Sequence, residues 1–167
     1  MPGDVTVRAC DPSDLLAVLE VHAQLNTSAS ALAPQVATPV QESTWDRMMN
    51  TPDLTVYIAE YDGSAVGTAT VLLLPNLTYQ CAPSAFVEAV VVALDCRRKG
   101  VATLLMRRIL GDTHAAGCNK IQLLAHKRHS DDGAHQLYTS LGFEAEAEGF
   151  RLYHRVVPDT VMKARAQ

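Results

Sequence analysis

No Cys-x-x-Cys pair occurs in this 167-residue sequence. The four cysteines, Cys10, Cys81, Cys96 and Cys118, are scattered along it, which argues against a zinc ribbon or a thioredoxin-type site and for reduced, mostly inert thiols. No block of lysine and arginine dominates any region, and the formal net charge is −4. That balance argues against a nucleic-acid partner. No apolar stretch approaches the length of a membrane span. The opening residues, Met1-Pro2-Gly3-Asp4, lack a basic region followed by an apolar run, so no secretory signal is expected and the cytoplasm is the expected compartment. Neither a repeat nor a linker interrupts the chain, so residues 1–167 are expected to form a single domain.

Apolar residues, by contrast, make up 48% of the sequence, which excludes disorder and supplies a proper core. Thr6 to Ala9 reads as a short strand. Asp11-Pro12-Ser13-Asp14 reads as a helix start, with Asp11 as cap and Pro12 in the first position. Leu15, Val18, Leu19 and His22 follow at helical spacing. Residues 26–40 hold no charge and read as a mobile connection or a short helix pair. A second helix is expected over Glu42 to Met49, with Trp45, Met48 and Met49 inward.

Leu54 to Tyr61 and Ala65 to Leu74 are strands joined at Asp62-Gly63, a hairpin signal. Phe86 to Leu94 is an almost unbroken apolar run, the mark of a strand buried on both faces. Gly100 to Ala116 is a helix stopped by Gly117. Lys120 to Ala125 is a strand, and Gly133 to Leu141 is a helix stopped by Gly142. Phe143 to Glu146 and Phe150 to Tyr153 are expected as final strands. The order predicts a mixed sheet with helices on both faces.

The chemistry is concentrated in Val90-Val91-Val92-Ala93-Leu94-Asp95-Cys96-Arg97-Arg98-Lys99-Gly100-Val101-Ala102. A buried strand ends there, and a tight basic turn leads straight into a helix. Helix N-termini present unpaired N–H groups and partial positive charge. Gly100 lets the backbone approach a phosphate, and Arg97, Arg98 and Lys99 add charge. The turn therefore suits a diphosphate without a metal. The same residues also suit an ordinary strand-to-helix turn with solvated basic side chains.

This segment resembles the coenzyme A pyrophosphate loop of the GNAT acetyltransferase superfamily, Gln/Arg-x-x-Gly-x-Gly/Ala. Arg97, Gly100 and Ala102 occupy its fixed positions. Leu137-Tyr138-Thr139-Ser140-Leu141-Gly142-Phe143 resembles the family's Phe/Leu-Tyr-x-x-x-Gly-Phe ending. The two motifs stand at the family's separation, and the resemblance is clearest over residues 86–143. It implies an α/β fold with a mostly antiparallel mixed sheet of six to seven strands, flanked by helices and splayed between strands 4 and 5. Two subfamilies look similar. Phe86-Val87-Glu88-Ala89-Val90-Val91-Val92 resembles glucosamine-6-phosphate N-acetyltransferases. Lys127-Arg128-His129, Ala134-His135 and Phe150-Arg151 resemble aminoalkylphosphonate N-acetyltransferases, with Ser130 to Gly133 interrupting that match.

The resemblance implies acetyl-CoA as cosubstrate, bound by Arg97, Arg98, Lys99, Gly100, Val101 and Ala102. Backbone N–H groups of Val90, Val91 and Val92 would hold the thioester carbonyl. Tyr138 would protonate the leaving thiolate, though its helical neighbours equally suit a core tyrosine. Glu88, at the start of an apolar strand, is the candidate base if it is buried, and otherwise a hydrated carboxylate. Asp131 stands where relatives carry a coenzyme-contacting asparagine, and also suits a helix cap. His126, His129 and His135 lack the spacing of a helical metal pair, so no metal is expected. Trp45, Tyr79 and Arg151 suit either the acceptor pocket or ordinary packing and surface. The expected reaction is acetyl transfer to a small-molecule amine, by direct attack in a ternary complex. A non-catalytic acyl-CoA-binding or regulatory module is the alternative. A homodimer is the usual outcome if the protein associates.

Overall fold

In the computed structural model, which describes residues 4–24, 36–126 and 133–152, five strands form one sheet. They run in chain order: β1 (Thr6–Ala9), β2 (Leu54–Tyr61), β3 (Ser64–Leu74), β4 (Ser84–Val92) and β5 (Lys120–Leu123). The first four are antiparallel, and β5 lies parallel to β4. The β2–β3 hairpin turns at Asp62 and Gly63, whose φ values of 50° and 75° are the left-handed pair that a two-residue turn requires.

The first helical segment begins as the sequence predicts, with Asp11 capping a short 3-10 turn, Pro12–Asp14, that runs into α1 (Leu15–Ala23). Asp14 does more than face the helix dipole. It is buried, accepts from the Asp11 amide at 2.8 Å, and receives both terminal nitrogens of Arg8 at 2.7 and 2.8 Å. Arg8 also reaches Glu60 at 2.8 Å, so one guanidinium ties β1, β2 and the start of α1. Hydrogen bonding from Arg8 holds the Asp14 carboxyl below its ordinary pKa. The second helix, α2 (Pro39–Met49), begins three residues before Glu42, because Thr38 and Gln41 form a capping box ahead of Pro39.

The helices cover the two faces of the sheet. On one face, Leu105, Met106 and Ile109 of α3 (Val101–Ala115) are fully buried against Tyr57, Val71 and Val87. Full burial of such side chains contributes roughly 1.5–3 kcal/mol each. The other face packs Val56 and Ile58 against Val18 of α1 and Trp45 of α2. α4 (Ala134–Ser140) follows β5, and Tyr138, Leu141 and Phe143 pack against the α3-side cluster. No helix among the described residues is long and apolar enough to cross a membrane.

Two strand expectations need correction. Residues 143–146 and 150–152 form no strand, and Tyr153 lies outside the described residues. The sheet therefore has five strands among the described residues, not six or seven. Phe150 and Leu152 are 89% and 82% exposed, so the apolar signal in this stretch corresponds to no buried face. β4 is also not buried along its length: Glu88 and Ala89 are exposed, as is Leu94 just beyond it.

Candidate active site

β4 carries an irregularity that shapes everything after it. Thr70 on β3 pairs with Glu88, and Thr68 pairs with Val91, so three steps on β4 span two on β3. The extra residue is a β-bulge. Ala89 absorbs it with φ +53°, a left-handed conformation that an alanine rarely takes. β5 pairs with β4 only over Ser84 to Val87. The edge of Glu88–Val92 on that side faces no strand among the described residues, so the expected splay between the fourth and fifth strands is present. It leaves Val90, Val91 and Val92 without a strand neighbour on the β5 side among the described residues.

Past β4 the chain makes a 3-10 turn, Leu94–Cys96, and then the basic turn. Arg97, Arg98, Lys99 and Gly100 are all exposed. Arg97 Nε donates to the Val92 carbonyl at 3.2 Å and so folds back on the end of β4. Arg98 and Gly100 take left-handed φ values of 62° and 86°. Gly100 is the N-cap of α3, and the helix has no side-chain cap among the described residues. Its first N–H groups are thus left for solvent or a bound anion. A Cβ on Gly100 would meet nothing within 4 Å, so the space above this helix start is open. Val101, by contrast, is buried and anchors the helix to the sheet.

Arg98 connects this turn to the second motif. A Cβ at Gly133 would collide with Arg98 Nη1, so only glycine lets the guanidinium lie against the start of α4. Within that motif, Gly142 takes φ +89° and reverses the chain. The Phe143 amide then donates to the Tyr138 carbonyl at 3.0 Å, and the two rings meet edge to face at 5.8 Å. The Tyr138 ring is partly buried on the α3-side core.

Glu88 lies on the other face, because it pairs with Thr70, two residues from Thr68, whose hydroxyl meets His22 of α1. The open edge of β4 beyond Val87 lies between the faces that carry Glu88 and Tyr138. Glu88 itself is exposed, so the burial that would favour it as a base is absent. That exposure fits the hydrated carboxylate of the two readings.

Other expected residues separate. Trp45 is 4% exposed and its indole N–H donates to the Pro12 carbonyl at 3.0 Å, which makes it core and not pocket. Tyr79 is exposed beside Lys120, and Arg151 is exposed. Asp131 and His129 lie outside the described residues. His135 Nε2 is buried without a hydrogen-bond partner among the described residues. Burial raises the thiol pKa values of Cys96 and Cys118 and pushes Cys10 up to about 12, so these thiols are poor nucleophiles. Sequence reasoning missed His22, Thr68 and Ala89. The polar Thr68 and Thr70 within an apolar strand are the sequence signal for this cluster.

The acetyltransferase (GNAT) family model matches residues 19–143. The chain belongs to that family. A protein of Agrobacterium tumefaciens assigned as an acetyltransferase is 33% identical, with a TM-score of 0.79 over 89% of this chain and 99% of that one. Glucosamine-6-phosphate N-acetyltransferase of Arabidopsis thaliana is 18% identical, with a TM-score of 0.74 over 90% of this chain and 98% of that one. An aminoglycoside N-acetyltransferase solved with CoA is 20% identical, with a TM-score of 0.71 over 94% of this chain and 98% of that one. The last two are likenesses of fold. This GNAT protein is accordingly an acetyltransferase with a mixed sheet whose fourth and fifth strands are parallel.

Proposed function

We propose that the protein transfers the acetyl group of acetyl-CoA to the primary amine of a small molecule, by direct attack within a ternary complex. The observation that carries this reading is the start of α3: an uncapped helix N-terminus under a basic turn, with open space above Gly100. That arrangement fits a diphosphate bound by backbone N–H groups of the Arg97–Ala102 turn and by Arg97, Arg98 and Lys99. The pantetheine arm would follow the open edge of β4, with the thioester carbonyl near the amides of Val90 to Val92. Tyr138, at the end of α4, is assigned the protonation of the leaving thiolate. Asp131 remains a candidate coenzyme contact.

Glu88 is assigned to the acceptor. An exposed carboxylate beside the bulge draws a cationic amine toward the reacting carbon. Relatives of the same fold act on glucosamine 6-phosphate and on aminoglycosides, which makes amino sugars the first acceptors to try. Aminoalkylphosphonates come next, from the sequence resemblance. Initial velocities measured against both substrates test the order of events. Intersecting double-reciprocal lines are expected for direct attack. Parallel lines would indicate an acetyl-enzyme intermediate and overturn the ternary complex.

A further inference from the structure

The last turn of α1 is pinned above the bulge of β4 at two points. His22 Nε2 lies 3.1 Å from Thr68 Oγ1, and Thr68 is fully buried opposite Val91. Two residues on, the Gln24 side-chain oxygen accepts from the Leu94 amide at 2.8 Å, just past the end of β4. Val91 and Val92 lie between these anchors along the strand. The partly buried imidazole therefore stands on the Glu88 face of the sheet, over β3, one strand from the edge of β4 that β5 leaves open.

The surroundings favour a neutral ring. β3 carries no titratable side chain, and β4 carries only Glu88. The 3-10 turn at the far end of α1 contributes Asp14, and α1 itself contributes only Glu20, which is exposed. Burial lowers the His22 pKa, so the ring is neutral at pH 7. With Nε2–H donating to the Thr68 hydroxyl, the ring takes the tautomer that leaves a lone pair on Nδ1. Nδ1 takes no hydrogen bond among the described residues.

We propose that His22 is the proton acceptor of acetyl transfer, receiving a proton from the acceptor's ammonium group, with Thr68 holding its ring in place. The proposal rests on the N-acetyltransferase reading. The ammonium gives one proton to Nδ1, and the freed lone pair attacks the thioester carbonyl carbon. The C–N bond forms, the C–S bond breaks, and its electron pair leaves on sulfur. Tyr138 gives its proton to the thiolate and is restored by the second proton from nitrogen, giving the amide and CoA thiol. The imidazolium returns its proton to water. Thr68 is a positioning residue in this scheme, and Glu88 attracts the ammonium without taking its proton.

The test is the pH profile of acceptor kcat/KM for wild type, His22→Asn, Thr68→Val and Glu88→Gln. The probe is whichever of glucosamine 6-phosphate, neamine and 2-aminoethylphosphonate the wild type acetylates fastest. Wild type should lose activity as pH falls through the His22 ionisation, below the ordinary histidine value of about 6.5. His22→Asn should abolish that limb and lower the rate about a hundred-fold or more. Thr68→Val should move the limb with a smaller loss, and Glu88→Gln should keep it. Acetyl-CoA binding, followed by calorimetry, should survive in all three. NMR titration of His22 in the wild type, which needs no variant to fold, should give the same ionisation as the kinetic limb. A limb that persists in His22→Asn, or one that vanishes in Glu88→Gln, would overturn the proposal. So would an NMR titration of His22 away from the limb. A wild type that binds no acetyl-CoA would instead overturn the N-acetyltransferase reading itself.

Discussion

Thr68 on β3 stands opposite Val91 on β4, one residue further along than the Thr70–Glu88 pairing would place it. That offset is the bulge, and it turns β4 away from β5 where the thioester would lie. Ala89 holds the extra residue at φ +53°. A β-branched side chain tolerates this conformation worst. Ala89→Val should therefore destabilise the protein by roughly 1–3 kcal/mol in urea unfolding. It should also reduce acetyl transfer at temperatures where the variant remains folded. Unchanged stability and activity would show that the backbone there is relaxed.

Gly100 is required twice, for its φ of +86° and for the open space above α3. Gly100→Val places a branched side chain in that space and should weaken acetyl-CoA binding without unfolding the protein. Gly100→Asn separates the two effects, because asparagine adopts left-handed φ more readily. It should fold like wild type and still bind acetyl-CoA more weakly. Calorimetric affinities equal to wild type in both variants would move the diphosphate elsewhere.

Tyr138→Phe keeps the edge-to-face contact with Phe143 and removes only the hydroxyl. Transfer should slow by on the order of a hundred-fold, with coenzyme affinity nearly intact. Wild-type turnover in this variant, at a step shown to be chemistry, would make Tyr138 a packing residue.

Glu88→Gln removes an exposed charge, so its effect should be modest. The KM for a cationic amine should rise up to about five-fold, as expected for an exposed ion pair, and the effect should fade at high salt. A loss of kcat far beyond that, at all salt concentrations, would restore Glu88 as the base.

Much of this architecture was legible because it rests on local requirements. The hairpin at Asp62-Gly63 and the left-handed Gly100 and Gly142 are positions where backbone geometry constrains the residue, so glycine marks them. The bulge was not legible, because its left-handed residue is an alanine and leaves no such mark. The expectation that β4 is buried on both faces along its length failed for a related reason. An apolar run implies a covered strand only if a neighbour runs its full length, and β5 stops at Leu123. Residues 143–146 alternate like a strand, but alternation does not supply a pairing partner. His22 fell on the apolar face of a helix, and only the fold reveals that this face ends over the open half of β4.

The proposed function is acetyl transfer from CoA to an amine. Its most direct measurement is thiol release from acetyl-CoA by the purified protein, with and without each of glucosamine 6-phosphate, neamine and 2-aminoethylphosphonate, with mass spectrometry of the products. Amine-dependent thiol release is expected, matched mole for mole by an N-acetylated product and reduced in Gly100→Val. Acetyl-CoA binding with no amine-dependent thiol release across this and a wider panel of primary amines would contradict it and leave a coenzyme-binding module.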